Sequence, residues 1–306
     1  MGRYLGQHFL INKDKIRNIV EALGMKDGNV IIEIGPGHGE LTDELVNKFI
    51  SLKVKKFKII AIEKDKKLAE ILRNKMALPY REVPYPDKEI VGSVGSVGSV
   101  EVIEGDVLKN LKSQILKLKF TNQKSKIIKN LKIVGNIPYY ITGYLLRILG
   151  ELKNKPSLII LTVQKEVAER ICAKPPRMNL LAASVQFWAK PEIVDFISRK
   201  DFEPMPKVDS AIIKIMVRPA LPYREVPVMK TSNKNHSKNY YRLIKILFKQ
   251  PRKTIINNLE FRIKDLELRA KNRQKLKEKL TEIGVKPNAR PQDLSIGQIK
   301  KLAEMV

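Results

Sequence analysis

Residues 30–39 read Val-Ile-Ile-Glu-Ile-Gly-Pro-Gly-His-Gly, a short apolar run followed by closely spaced glycines. The run predicts a buried strand, and a helix is predicted from Glu40 onward. Glycines such as Gly35 and Gly37, placed between a strand and a helix, let a ligand approach the backbone closely. Their G-x-G-x-G spacing differs from the G-x-G-x-x-G of dinucleotide sites, which argues against a nicotinamide cofactor. A purely structural turn is the alternative.

Apolar runs alternate with helical spacings along the first two thirds of the chain. Helices are predicted at 11–23, 40–50 and 65–76, and strands at 30–34, 58–62, 100–103, 132–134 and 157–163. This alternation indicates an α/β fold with a parallel sheet covered by helices on both faces. Two later strands, around 193–198 and 211–217, are predicted to close the sheet as a hairpin.

Two carboxylates follow neighbouring predicted strands. Glu63 ends the second strand and can accept hydrogen bonds from both hydroxyls of a ribose. Asp106 follows the third strand and can accept a hydrogen bond from an adenine amino group while Val107 packs beside it. Because ligands of open α/β sheets bind at the carboxyl ends of the strands, we expect both to join the glycine turn in one crevice. The alternatives are a surface glutamate and a turn-capping aspartate.

Asn136-Ile137-Pro138-Tyr139 follows the next predicted strand. The N6 amine of adenine is a poor nucleophile because its lone pair is delocalised into the ring, so a catalyst needs acceptors that hold both N–H hydrogens. The Asn136 oxygen and the Ile137 carbonyl could accept them, with Pro138 fixing the backbone. Tyr139 would stack on the extruded base. The motif predicts an adenine-amino methyltransferase; an ordinary exit from a strand is the alternative, and Tyr140 is predicted to be a core residue.

The chain of 306 residues carries 59 Lys and Arg against 32 Asp and Glu, a formal net charge of +27. The excess is uneven: about 22 basic and about 8 acidic residues lie from Arg218 onward. Such a charge predicts a polyanionic partner, because phosphate neutralisation releases counterions. A solvated, lysine-rich surface is the alternative reading.

Cysteine and histidine are scarce. A single cysteine, Cys172, excludes an internal disulfide, and three widely spaced histidines (His8, His38, His236) offer no convincing metal cluster. The first ten residues lack the apolar core of a secretion signal, and no apolar stretch approaches a membrane span in length. The expectation is a soluble, cytoplasmic protein without a metal.

An octapeptide, Ala-Leu-Pro-Tyr-Arg-Glu-Val-Pro, occurs at 77–84 and again at 220–227. Eight residues cannot bury a core, so both copies are interpreted as insertions in exposed connections, with a duplicated binding motif as the alternative. The predicted domains are therefore a methyltransferase domain at 1–218 with an insertion at about 77–99, a linker at 219–238, and a small, basic, all-helical domain at 239–306. Helices are expected there at 239–249, 253–261, 266–283 and 298–304.

Taken together, the sequence resembles the small-subunit ribosomal RNA adenine N6,N6-dimethyltransferases. The likeness covers most of the chain apart from the two insertions. It rests on the motifs at 5–10, 33–37, 62–65, 105–106, 136–139, 163–170, 202–210 and 252–254. The resemblance implies a Rossmann-like class I methyltransferase domain and a monomer. The implied reaction uses S-adenosylmethionine to methylate, twice each, two adjacent adenosines in the 3′-terminal hairpin loop of the 16S RNA, during small-subunit maturation.

The resemblance also implies roles for individual residues. Cofactor contacts are implied for His8, Leu10, Gly35, Gly37, Glu63, Asp106, Val107 and Asn136. Phe202 would be a second aromatic side chain against the target base, and Arg177 would keep part of the family's contact with the target loop. The basic runs themselves predict phosphate contacts from Lys249, Arg252, Lys253 and the helix face at 262–279, with a solvated helix face as the alternative for each residue. The chain departs from the family at 174–179, where Lys-Pro-Pro-Arg-Met-Asn replaces a Tyr-Gly-Arg stretch, and at Pro251, where arginine is usual.

Two other functions stay open at this stage. A large-subunit RNA methyltransferase of the macrolide-resistance type would share the fold and the Asn-aromatic motif. A non-catalytic ribosome-assembly factor would keep the fold without the reaction, although intact Glu63, Asp106 and Asn136 argue against it. A DNA adenine methyltransferase would typically carry Asp in place of Asn136.

Overall fold

The structure, a computed structural model, describes residues 6–54, 56–77, 98–120, 131–218, 233–260 and 266–305. The strands are β1 (Phe9–Leu10), β2 (Asn29–Ile34), β3 (Phe57–Glu63), β4 (Ser99–Glu104), β5 (Leu131–Asn136), β6 (Leu158–Gln164), β7 (Ala189–Ile197), β8 (Phe202–Glu203) and β9 (Ser210–Val217). The helices are α1 (Lys13–Ala22), α2 (Glu40–Ser51), α3 (Lys66–Ala77), α4 (Val107–Phe120), α5 (Thr142–Glu151), α6 (Lys165–Cys172), α7 (Leu180–Gln186), α8 (Asn233–Leu247), α9 (Ile255–Glu260), α10 (Leu266–Glu282) and α11 (Ile296–Met305). Most of the predicted insertion, 78–97, and residues 219–232 of the predicted linker lie outside the described residues.

Seven strands form one sheet in the order β4-β3-β2-β5-β6-β9-β7. The five strands from β4 to β6 are parallel, and β9 runs antiparallel to β6. The predicted α/β sheet is confirmed, and β9 and β7 do complete one edge. Between them, however, the two-residue strand β8 leaves the sheet and pairs with β1.

The centre of the sheet is buried on both sides. In β2 the successive residues Ile31 and Ile32 are both fully buried, although neighbouring side chains of a strand point to opposite faces. On one face Ile31 packs in a cluster with apolar residues of α1 and α2, such as Ile19 and Phe49. Helices therefore cover the sheet, as the unbroken apolar strands predict.

The N-terminal segment is tied to the loop that contains β8. The side chain of Asn12 caps α1 by accepting hydrogen bonds from the backbone of Asp14 and Lys15. Its amide also donates to Asp201 Oδ1 at 2.9 Å, and the Ile11 N–H donates to the Asp201 carbonyl at the same distance. These bonds join residues 189 and 190 positions apart and fix β1 beside β8.

Gly135, near the end of β5, permits a close approach to β2. A Cβ atom added there would lie 2.6 Å from the Ile34 carbonyl oxygen, which belongs to backbone that cannot move aside cheaply. Nothing in the spacing of the sequence singled out this glycine. It lies one residue before Asn136, so the close approach also sets the position of that side chain.

Replacing Gly135 by alanine is expected to lower the free energy of unfolding by about 1–3 kcal/mol through overpacking. Gly143→Ala is the matched control, because an added Cβ at this exposed position of α5 meets open space. It should raise stability by about 0.5–1 kcal/mol through helix propensity. Urea unfolding of both full-length variants measures the difference; equal effects would show that β2 and β5 can separate freely.

Contacts divide the chain into two compact units, one from 1–168 with 191–219 and the other from 169–190 with 220–306. The segment 169–190 therefore groups with the helical unit, whereas the predicted first domain ran unbroken to 218. The reason is α7, whose Ala183 carbonyl accepts a hydrogen bond from the hydroxyl of Tyr240 in α8. In addition α8 begins at Asn233, so residues 233–238 are helical and not part of a linker.

Apolar residues of α7, α8, α9 and α11 form the core of the second unit, among them Leu243, Ile255 and Leu302. The helical character predicted for this region is confirmed. In the part of the chain that the structure describes, no helix combines the length and the apolar character that crossing a bilayer requires.

Candidate active site

A crevice opens at the carboxyl ends of β2, β3, β4 and β5. Strands β2 and β5 are neighbours, and the chain proceeds from them toward opposite edges of the sheet, which is where open α/β sheets bind ligands. The crevice has a volume of about 860 Å³ including its open mouth. It is lined by Gly6, Gln7, His8, Phe9, Ile34, Gly35, Gly37, Ile62, Glu63, Lys64, Gly105, Asp106, Val107, Leu108, Asn136, Ile137, Pro138, Tyr139, Tyr140 and Ile141.

The glycine turn forms the floor beside β2. Gly35 and Gly37 have φ angles of +64° and +60°, in the left-handed region that side chains rarely adopt. A Cβ atom on Gly37 would lie 2.8 Å from the ring of Phe9. The N–H of Gly37 donates to Glu63 Oε2 at 3.1 Å, so the turn is attached to the end of β3.

Glu63 lies buried at the crevice wall. Its Oε1 accepts a hydrogen bond from the Asp65 N–H at 2.8 Å, while Oε2 accepts from Gly37. Burial raises the pKa of Glu63 above its ordinary value, and the backbone hydrogen bonds act in the opposite direction. Each carboxylate oxygen has a second lone pair, so the carboxylate can still accept hydrogen bonds from a ligand.

Asp106 is both a helix-capping residue and a residue of the crevice, which are the two interpretations that the sequence left open. Its Oδ1 accepts a hydrogen bond from the Leu108 N–H at the start of α4, which makes it a helix cap. It also lines the crevice, where its Oδ2 is 3.2 Å from Lys64 Nζ. Lys64 was not singled out by the sequence, and its ammonium group competes with a ligand for this carboxylate.

The carboxamide of Asn136 is oriented by the N-terminal segment. Its Nδ2 donates to the carbonyl oxygen of His8 at 2.8 Å, across 128 residues of sequence. Because the amide nitrogen is engaged in this way, the amide oxygen is the atom that can accept a hydrogen bond from a ligand. Ile137 has a buried side chain and also lines the crevice.

Tyr139 is held from two sides. Its hydroxyl is hydrogen-bonded to the buried Ser210 Oγ at 2.7 Å, and its ring stacks on that of His8 with centroids 5.8 Å apart. The His8 ring is fixed in turn, since its Nδ1 donates to the Pro204 carbonyl at 2.7 Å. Burial raises the pKa of the Tyr139 phenol. The ring is thus an immobilised, neutral aromatic surface at the crevice.

Two residues of the expected site face the core instead. Leu10 and Phe202 pair across β1 and β8, and both belong to the apolar cluster that includes Ile16. Phe202 is 3% exposed and does not line the crevice. The expectation that Phe202 stacks on the target base is therefore not met in this structure, because the pairing of β8 with β1 turns the ring inward.

Tyr140, in contrast, is more exposed than the sequence predicted. The sequence predicted a core residue, but its side chain is 65% exposed and lines the mouth of the crevice. The prediction was wrong because the short 3₁₀ turn at Tyr139–Ile141 buries Ile141 and leaves its middle residue facing solvent.

A smaller pocket beside the glycine turn contains the carboxyl group of Glu33, which the sequence did not indicate as a site residue. It is lined by Glu33 together with Phe9, Leu10, Gly35 and Asn136, among others. Glu33 Oε2 accepts a hydrogen bond from the Thr42 hydroxyl at 2.7 Å, but its Oε1 is buried with no partner among the described residues. Burial, opposed by the Thr42 hydrogen bond and reinforced by nearby carboxylates, raises the pKa of Glu33 from 4.5 to about 8.

This raised pKa makes stability depend on pH. Between pH 4.5 and about 8 the folded protein holds the Glu33 proton and the unfolded chain does not. The contribution of Glu33 to the free energy of unfolding is therefore fully present below the pKa of Glu33 in the unfolded chain. It is lost as the pH rises from there through the pKa of Glu33 in the folded protein, at about 1.4 kcal/mol per pH unit. Urea unfolding of the wild type and of Glu33→Gln over this range should show a steeper fall of stability in the wild type, by this slope, while the raised pKa of Glu63 contributes a fall that both proteins share. Parallel curves would mean that Glu33 is ionised in the folded protein.

The residues expected to contact RNA all lie in the second unit. Lys249, Arg252 and Lys253 lie on exposed positions of the turn between α8 and α9, and Arg177 lies on an exposed turn before α7. In the described part of the chain, no group of three or more His, Cys, Asp or Glu side chains is arranged to hold a metal ion.

Comparisons with known proteins found a matching family model and similar relatives. A family model described as "Ribosomal RNA adenine dimethylase" matches residues 2–306. The "Ribosomal RNA small subunit methyltransferase A" of Lactobacillus acidophilus is 34% identical over 307 residues, covering 99% of this chain and 90% of that protein.

Two solved structures resemble the whole chain in fold. A dimethyladenosine transferase from Plasmodium falciparum has a TM-score of 0.69 and 23% identity, with 97% of each chain covered. The 23S rRNA methyltransferase ErmE has a TM-score of 0.64 and 22% identity, covering 97% of this chain and 98% of that one. These likenesses confirm the expected Rossmann-like methyltransferase fold.

Proposed function

Because the chain belongs to the ribosomal RNA adenine dimethylase family, we propose that it dimethylates the N6 amines of two adjacent adenosines in the 3′-terminal hairpin loop of the small-subunit (16S) RNA. The reaction contributes to maturation of the small ribosomal subunit. The observation that carries the proposal is the Asn136 carboxamide, whose NH₂ group is bound by the His8 carbonyl and whose oxygen is thereby kept as an acceptor beside Tyr139.

The cofactor of the proposal is S-adenosylmethionine, and the crevice fits a ligand of this chemistry. The buried Glu63 carboxylate matches the two hydroxyls of a ribose, and the side-chain-free turn at Gly35 and Gly37 accommodates a ligand against the backbone. Asp106 and Val107 would contact the adenine ring, and His8 the remainder of the molecule. When bound, the cofactor supplies an electrophilic methyl group on a sulfonium.

The residues of the 136–139 motif activate the substrate amine. The Asn136 oxygen and the Ile137 carbonyl accept its two N–H hydrogens, which favours a pyramidal nitrogen with an available lone pair. The Tyr139 ring, immobilised by Ser210 and His8, stacks on the extruded base. No general base is needed before attack, because the methylated ammonium product is acidic enough to lose its proton afterwards.

The second unit is proposed as the RNA-binding domain. Exposed cations at Arg177, Lys249, Arg252 and Lys253 would contact backbone phosphates and contribute an affinity that falls with salt concentration. Leu10, although implied by the family resemblance as a cofactor contact, would act through its backbone, since its side chain is in the core. A cytoplasmic monomer is proposed.

Mass spectrometry of small-subunit RNA after incubation with the protein and S-adenosylmethionine tests the function. The expected result is four added methyl groups on two adjacent adenosines near the 3′ end. Methylation of large-subunit RNA alone would identify an enzyme of the macrolide-resistance type. Cofactor binding in calorimetry is expected as well; its absence, with no RNA modified, would leave a ribosome-assembly factor.

A further inference from the structure

Two large aromatic side chains face solvent beside the mouth of the crevice. Tyr140 is 65% exposed and Tyr144 is 54% exposed. The solvent face of a helix normally carries polar and charged residues, and both tyrosines present most of their rings to water instead. Exposed aromatic rings of this kind are suited to binding a ligand with a flat, apolar face.

The two rings lie on one face of the chain. The 3₁₀ turn at Tyr139–Ile141 continues directly into α5, so residues 140 and 144 are one helical turn apart. The intervening Ile141 and Thr142 are buried, and an added Cβ at Gly143 would meet open space. Arg147 is exposed a further turn along the same face, where its Nε donates to Glu151 Oε1 at 2.9 Å. The two exposed aromatic side chains and, beyond them, the Arg147–Glu151 ion pair thus follow one another outward from the crevice.

This surface is continuous with the proposed active site. Tyr140 is bonded in sequence to Tyr139 and lines the same crevice, whereas Tyr144 does not line it. A base that enters the crevice must leave its neighbours on the strand close to the mouth. Unpaired RNA bases bind proteins by stacking on aromatic rings, and every base has a face suited to this.

We infer that Tyr140 and Tyr144 form a stacking platform for an unpaired base next to the adenosine held in the crevice. The inference rests on the proposed function. The occupant is single-stranded RNA of the substrate loop, in keeping with the net charge of +27. The platform holds the strand while its neighbouring base is methylated, and so defines which adenosines are accessible.

Tyr144→Ala tests the inference in the full-length protein, with a hairpin RNA that carries the two adjacent adenosines. We expect kcat/KM to fall about tenfold, mainly through KM, as the loss of one base–aromatic stack predicts. Tyr144→Phe keeps the ring and should keep the activity. Leu116→Ala, which trims another half-exposed apolar side chain in α4, is the matched control and should behave like the wild type. The affinity for S-adenosylmethionine should be the same in all variants.

A series of RNAs, each with one abasic loop nucleotide, separates stacking from other causes. For one flanking position the wild type should lose as much activity as Tyr144→Ala loses on intact RNA, and Tyr144→Ala should lose nothing more on that RNA. Independent losses at every position, or a weakened cofactor affinity in Tyr144→Ala, would overturn the platform and leave the proposed function standing. If the wild type methylates no RNA, the proposed function fails and the platform fails with it.

Discussion

Asn136→Ala is expected to lower kcat by about 100- to 1,000-fold, the usual effect of removing one hydrogen-bonding group that acts in the transition state. The affinity for substrate RNA should change by no more than about twofold, since phosphate contacts elsewhere supply most of it. The two effects are separable because, in the proposed mechanism, the Asn136 oxygen accepts a hydrogen bond from the reacting amine and contacts no phosphate of the RNA. Single-turnover methylation and filter binding of the same RNA give the two numbers.

Asn110→Ala provides the control for Asn136. This residue also uses its Nδ2 as a donor, to the Asp106 carbonyl at 3.0 Å, but it does not line the crevice. Its loss should leave kcat within about twofold of the wild type, as expected for a substitution away from the reacting groups. Equal losses of turnover and RNA affinity in Asn136→Ala would contradict the assigned role and point to general disruption of the site.

Glu63→Gln should weaken binding of S-adenosylmethionine by about 10- to 150-fold, the worth of a hydrogen bond to a charged group. The carboxylate accepts from Gly37 on one oxygen and from Asp65 on the other. A glutamine of the same shape has only one acceptor atom, so its NH₂ group must face one of these N–H donors. The variant therefore loosens the glycine turn as well as losing the ribose acceptor.

Calorimetric titration with the cofactor measures this effect. Glu104→Gln is the matched control, because Glu104 ends the neighbouring strand, pairs with Arg73 at 3.9 Å and does not line the crevice. Its cofactor affinity should equal that of the wild type. Unchanged affinity in Glu63→Gln would place the ribose elsewhere and would remove the main argument for the cofactor.

Much of the fold could be predicted because strand and helix periods are local properties. The apolar run at 30–34, the glycines at 35 and 37 and the alternation that follows were enough for a parallel sheet with a ligand site at its carboxyl edge. The basic helical character of the last third was equally local. Boundaries were less accurate: α8 begins six residues earlier than expected, because residues 233–238 are all polar and show no apolar repeat from which a helix could be predicted.

The sequence predicted which residues form the site better than it predicted how their side chains are oriented. Glu63, Asp106, Asn136 and Tyr139 do come together. The inward position of Phe202 and the outward position of Tyr140 could not be predicted from spacing, because β8 has two residues and the 3₁₀ turn has three, too few to show a periodic pattern. The Glu33 carboxyl was passed over for a related reason, as its unpaired buried oxygen is visible only when the surrounding strands are in place.

The amino-acid pattern by itself determined the class of sheet, the presence of the crevice and the chemistry of its hydrogen-bond acceptors. The reason is that residue types, and the places where strands end, follow directly from the sequence. Only the tertiary structure decided how those acceptor groups are oriented toward a ligand. The Asn136 amide is turned by the carbonyl of His8, and His8 is held by Pro204, so the decisive hydrogen bonds join three segments separated by 60 residues or more. Such contacts depend on how β1 pairs with β8, and that register is a property of the folded chain.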